Sequence, residues 1–132
     1  MKRRPTAAPH VSLWGPVVLY MGIIFFMSHQ PDVSLPAGLT DKQSHSLAYT
    51  LLGILIVRAL AGGLGKRISF ATALLGILLT TLYGASDEVH QMFVAGRSAE
   101  ISDVYADATG GAIGAFACFL WGIISPSWPL KT

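Results

Sequence analysis

Four apolar stretches, at approximately 11–27, 45–60, 68–86 and 104–124, occupy most of this chain and leave only short connections between them. The hydrocarbon core of a bilayer is about 30 Å thick, and about 20 helical residues cross it. Backbone in lipid must satisfy its own hydrogen bonds, so stretches of this length fold as helices there. The pattern predicts an all-α, integral membrane four-helix bundle that forms a single domain over residues 1–132.

Composition agrees. The 132 residues are 52% hydrophobic and 12% charged, and a soluble domain carries about 25% charged residues. A separate soluble domain has no room. The basic residues form no stripe along one face, which excludes a nucleic-acid partner. The single cysteine, Cys118, sits in an apolar run and is expected to be a small lipid- or core-facing residue. The N-terminus is basic and then apolar, as in a signal peptide. Its apolar run is long, however, and Ser28-His29-Gln30-Pro31 offers no small-x-small cleavage site. An uncleaved first span is expected.

The positive charges orient the bundle. Lys2, Arg3, Arg4, Lys66, Arg67 and Lys131 fall on one side, with Arg58 able to snorkel there, and only Lys42 and Arg97 fall on the other. The positive-inside rule then places both termini in the cytoplasm. Trp14, Trp121 and Trp128 fit an aromatic belt on that inner side. The connections Ser28–Ser44 and Tyr83–Asp103 face outward.

Those two connections hold the chemistry. Five of the seven acids, Asp87, Glu88, Glu100, Asp103 and Asp107, lie between Tyr83 and Gly114, with Arg97 as the one arginine there. Charge in or beside a bilayer is costly, roughly 2.5–3.5 kcal/mol for an Asp at mid-span, and marks a working site by default. Asp107 must therefore point inward at a partner: Arg97, His45 or a ligand. Asp41, His45 and Tyr49 are spaced i, i+4, i+8 and share a helix face. Such a stripe can orient a base or bind a headgroup, although Asp41 also suits a helix start and Tyr49 an interfacial anchor. Tyr83, Asp87 and Gln91 share a second face, with Glu88 beside Asp87. Adjacent carboxylates in a low dielectric require a raised pKa or a cation between them. Asp103 either caps the last helix or joins the site.

The guanidinium of Arg97 suits a phosphate or carboxylate, or equally a salt bridge to Asp87, Glu88 or Asp103. Gly110 and Gly114 form a GxxxG spacing that lets helices approach closely. His10 reads as a flank residue, and His29 and His90 lack the HxH or HExxH spacing of a metal motif.

Taken in order, these residues resemble the VanZ-like family of small integral membrane proteins. The resemblance runs from about Phe25 to Gly114. It rests on Ser28 and Pro31 in MSHQP, on Asp41, Lys42, His45, Tyr49, Gly53 and Arg58 in DKQSHSLAYTLLGILIVR, and on Tyr83, Gly84, Asp87, Glu88, Gln91, Phe93, Gly96 and Arg97 in YGASDEVHQMFVAGR. It closes on Asp103, Asp107, Gly110 and Gly114. Each short motif is weak alone, and the ordered set is fairly specific. Three positions depart from the pattern: Ser46 replaces an aromatic, Ala95 a proline and Asp107 an asparagine. The namesake of the family is associated with resistance to teicoplanin, which acts outside the cell. The resemblance therefore implies a place, the outer leaflet of a bacterial cytoplasmic membrane, rather than a reaction.

The expectation is an outward-facing polar site that binds or modifies a lipid-linked or cell-envelope headgroup. Asp87, Glu88, His45 and Asp103 stand as candidate catalytic residues. Arg97, Ser28, Asp41, Tyr49, Tyr83, Gln91 and Asp107 stand as ligand-binding ones. Membrane lipid is the expected partner, a lipid-linked envelope precursor the candidate substrate, and a divalent cation such as Mg²⁺ or Ca²⁺ the candidate cofactor. Two alternatives stay open: a non-catalytic protein that binds an envelope ligand, and a structural or transport bundle whose polar residues join helices.

Overall fold

The computed structural model describes residues 8–31 and 33–124. These residues form four helices: α1 (His10–Ser28), α2 (Asp41–Ala61), α3 (Phe70–Gln91) and α4 (Ile101–Ile124). There is no strand among the described residues. Each helix is long and apolar enough to cross a membrane. Lys2, Arg3, Arg4, Trp128 and Lys131, which entered the orientation argument, lie outside the described residues.

Local chemistry places the helix ends. α2 begins four residues before the apolar run because Thr40 and Gln43 form a capping box. Gln43 N–H donates to Thr40 Oγ1 at 3.2 Å, and Thr40 N–H donates to Gln43 Oε1 at 3.0 Å. α2 stops at Gly62, which adopts φ 75° as a left-handed cap. Ser69 caps α3 by accepting from Thr72 N–H. α3 runs past residue 86 to Gln91, and α4 starts at Ile101 rather than 104, so the acids sit within the last turns of α3 and the first turns of α4.

The bundle is inside-out relative to a soluble protein. Large apolar side chains such as Leu19, Phe26, Leu78 and Phe116 are exposed, whereas Asp87, Glu88, Asp103 and Asp107 are buried. A lipid exterior accepts the first set and forbids the second.

Glycines set the closest helix pair. A Cβ on Gly110 would collide with the Ser46 carbonyl, and one on Gly114 with the Thr50 carbonyl. A Cβ on Gly53 would lie 2.9 Å from Gly111 O. α4 thus lies against the backbone of α2, a geometry open only to residues without side chains. α1 is tied by two tyrosines: Tyr20 Oη donates to Ala48 O at 2.9 Å, and Tyr83 Oη donates to Met21 O at 2.6 Å. At the end of the bundle that carries the 62–69 connection, Arg58 donates to Ser12 O and Leu13 O at 3.2 and 3.4 Å instead of reaching for the surface alone. Trp14 packs against the core beside Leu13 and Val17, while Trp121 is exposed. Cys118 is core-facing, packed with Val57, Ile68 and Ala115.

Candidate functional site

The end of α1, the start of α2, the end of α3 and the start of α4 meet at one end of the bundle with connections 29–40 and 92–100. The close packing of α2 on α4 brings His45 against two acids. His45 Nδ1 lies 2.9 Å from Asp107 Oδ1, and His45 Nε2 lies 3.8 Å from Asp103 Oδ2. Asp107 fits only because its neighbour is Gly84, whose added Cβ would lie 2.7 Å from Asp107 Oδ2.

On α3, Asp87 Oδ2 accepts from Ser28 Oγ at 2.6 Å and from Gln91 Nε2 at 3.3 Å. Glu88 Oε2 accepts the backbone N–H of Glu100 at 3.0 Å, which fastens the entry of α4 to the end of α3. Five carboxylate and hydroxyl oxygens in this region, Ser44 Oγ, Tyr49 Oη, Asp87 Oδ1, Glu88 Oε1 and Asp107 Oδ2, are buried with no hydrogen-bond partner among the described residues. Buried polar atoms are normally partnered, so such a group of exceptions calls for a ligand, ion or water.

The cation of the cluster is not the one the sequence singled out. Lys42 Nζ bonds Asp103 Oδ1, lies 2.9 Å from Glu100 Oε2, and reaches Asp41 Oδ2 at 4.0 Å. The hydrogen bond from Lys42 holds the exposed Glu100 carboxyl below its ordinary range. Arg97 forms no ion pair with Asp87, Glu88 or Asp103 among the described residues. Arg97 was the cation expected to pair with these acids, and Lys42 makes the pairs instead. Its position next to Asp41, three residues before His45, was the available signal. Glu100, also passed over, completes that pair.

Two cavities open here and share Val33, Asp41, His45, Gln91 and Arg97. The smaller, about 220 Å³, has a polar lining that adds Ser98, Glu100 and Asp103. The larger, about 450 Å³, is two-sided. Tyr20, Ile23, Ile24, Met27, Leu35 and Ala48 line one part, and Ser28, Asp41, His45, Tyr49, Asp87, Gln91 and Arg97 line the other. Of the predicted binding residues, Tyr83 lines neither cavity, since its hydroxyl is engaged by Met21. Asp107 and Glu88 sit behind His45 rather than in the wall.

Two sets of side chains could hold a cation: Asp41, His45 and Asp103, and His45, Glu88 and Asp107, each offering ligand atoms within 4.8 Å of one another. His45 belongs to both.

A family model described as VanZ/LLP1 matches residues 13–122. The chain belongs to the VanZ/LLP1 family. With four membrane-crossing helices, this VanZ/LLP1 chain is a multi-pass membrane protein. No curated protein and no solved structure matches it. The matched range of this VanZ/LLP1 chain includes every residue from Ser28 to Asp107.

Proposed function

We propose that the protein binds or chemically modifies an anionic headgroup of a lipid-linked envelope molecule at the outer face of a bacterial cytoplasmic membrane. The observation that carries this reading is the two-sided lining of the larger cleft. An amphiphile needs both surfaces at once: its chain lies along Ile23, Met27 and Leu35, and its head turns toward His45, Asp87 and Arg97. Apolar pockets with a few convergent polar groups are the usual form of a ligand site.

Arg97 supplies a planar fork for a phosphate or carboxylate. The headgroup must nevertheless approach Asp41, Asp87 and Asp103, and like charges in a low dielectric repel strongly. A divalent cation or a proton offsets that repulsion. Because both candidate sets include an imidazole, a mixed nitrogen–oxygen site suits Zn²⁺ or Mn²⁺ better than Ca²⁺. His45, between Asp103 and Asp107, is placed to exchange a proton with the bound head.

The test is turnover of a lipid-linked envelope precursor by protein purified into lipid nanodiscs. Product formed by the natural chain, and lost in Asp87→Asn and Asp103→Asn at normal membrane levels, supports modification. Binding without product makes the protein a carrier or shield of the headgroup. Neither binding nor turnover, with polar swaps acting only on folded yield, overturns the reading in favour of a structural bundle.

A further inference from the structure

Beside Asp87, and outside the lining of either cavity, lies a pair of histidines that the headgroup reading does not use. His29, the residue just after α1, and His90, in the last turn of α3, place Nδ1 and Nε2 3.1 Å apart. Their rings are parallel to within 5°. Phe25 stacks on His90 at a centroid distance of 4.3 Å and fixes the plane of that ring. The other nitrogen of His90, Nδ1, is buried and has no hydrogen-bond partner among the described residues. It lies 4.0 Å from Asp87 Oδ1, which is buried and equally without one. Ser28 Oγ holds the opposite oxygen of Asp87 at 2.6 Å.

We propose that His29 and His90 form a binding site for a zinc-class divalent transition ion, with Asp87 as the carboxylate behind His90. Two imidazole nitrogens facing each other share either a proton or a cation. Two nitrogens on tetrahedral Zn²⁺, each about 2.0–2.1 Å from the metal, stand about 3.3 Å apart, close to the 3.1 Å observed. A metal-bound histidine characteristically donates its remaining N–H to a carboxylate, which fixes the tautomer. Asp87 Oδ1, 4.0 Å from His90 Nδ1, must close by about 1 Å to accept that N–H. His29 is exposed, so water fills the two remaining positions of a four-coordinate ion, one more than in zinc sites with three protein ligands. Asp87 then contacts the headgroup cleft through Ser28 and the ion through His90.

The experiment is Zn²⁺ binding by equilibrium dialysis, using full-length protein in nanodiscs without a histidine tag. A His45→Asn background removes the imidazole common to the two candidate cation sets in the cleft. The expected result is one Zn²⁺ retained in that background and lost on adding either His29→Ala or His90→Ala. Adding Asp87→Asn instead should weaken affinity by about 10–100-fold without changing stoichiometry. Cu²⁺ bound in place of Zn²⁺ should show hyperfine coupling to two imidazole nitrogens. No Zn²⁺ bound in the His45→Asn background, or binding that survives both alanine variants, overturns the proposal and leaves the pair sharing a proton. None of these readouts depends on the headgroup reading.

Discussion

His45 Nδ1 and Asp107 Oδ1 are 2.9 Å apart across 62 residues of sequence, and this contact joins α2 to α4. Asp107 is wholly buried, and its second oxygen has no partner among the described residues. Replacing Asp107 with alanine strands the imidazole, and the usual cost of a buried group so orphaned is about 1–3 kcal/mol. Asp107→Asn keeps an oxygen that can accept from His45. In detergent unfolding titrations, Asp107→Ala is expected to be clearly destabilised and Asp107→Asn close to the natural chain. Equal loss in both would show that the contact contributes nothing specific.

Gly84→Ala tests the space that Asp107 occupies. The new methyl would stand 2.7 Å from Oδ2 and 2.8 Å from the Cβ of Asp107, with no flexible tip to yield. Overpacking of this kind costs about 1–3 kcal/mol. Combining Gly84→Ala with Asp107→Ala should recover part of the Gly84→Ala loss, because the clashing carboxylate is gone. Strict additivity in this double-mutant cycle would argue against the contact.

The α2–α4 approach is expected to fail on Gly110→Ala or Gly114→Ala, since each new Cβ meets a backbone carbonyl that cannot move alone. Gly22 is also helical but has open space around it, so Gly22→Ala serves as the control. The readout is folded yield after detergent extraction: low for the first two and normal for the third.

Lys42→Met should do more harm than removing a typical surface charge. Exposed ion pairs are worth about 0–1 kcal/mol, but Lys42 also partners the buried Asp103. The Glu100 arm should respond to acid with a definite sign. Its carboxyl titrates below the ordinary range because of the Lys42 hydrogen bond. The tie is therefore complete at neutral pH and is lost as pH falls through that lowered value. Comparing unfolding of the natural chain and Glu100→Gln across this window checks it: a difference present at neutral pH should vanish in acid.

Orientation has a direct test. A topology reporter fused after Val94 should report the outer side of the membrane. A cytoplasmic signal would invert the bundle and remove the basis for an outer-leaflet site.

The four helices and their membrane character follow from the sequence alone, because about 20 apolar residues in a row have few stable conformations other than a spanning helix. The gathering of Ser28, His45, Asp87 and Asp103 at one end is equally legible, since four antiparallel helices with short connections bring those termini together. Partnership was decided by tertiary structure. Whether Lys42 or Arg97 meets Asp103, whether His45 reaches Asp107, and whether His29 meets His90 depend on helix rotation and separation to within an ångström or two. Those quantities are set by Gly53, Gly110 and Gly114 against backbone atoms of neighbouring helices, and by Gly84 against the side chain of Asp107. A single sequence shows that small residues permit close approach, but which surface they approach is fixed only when all four helices pack at once.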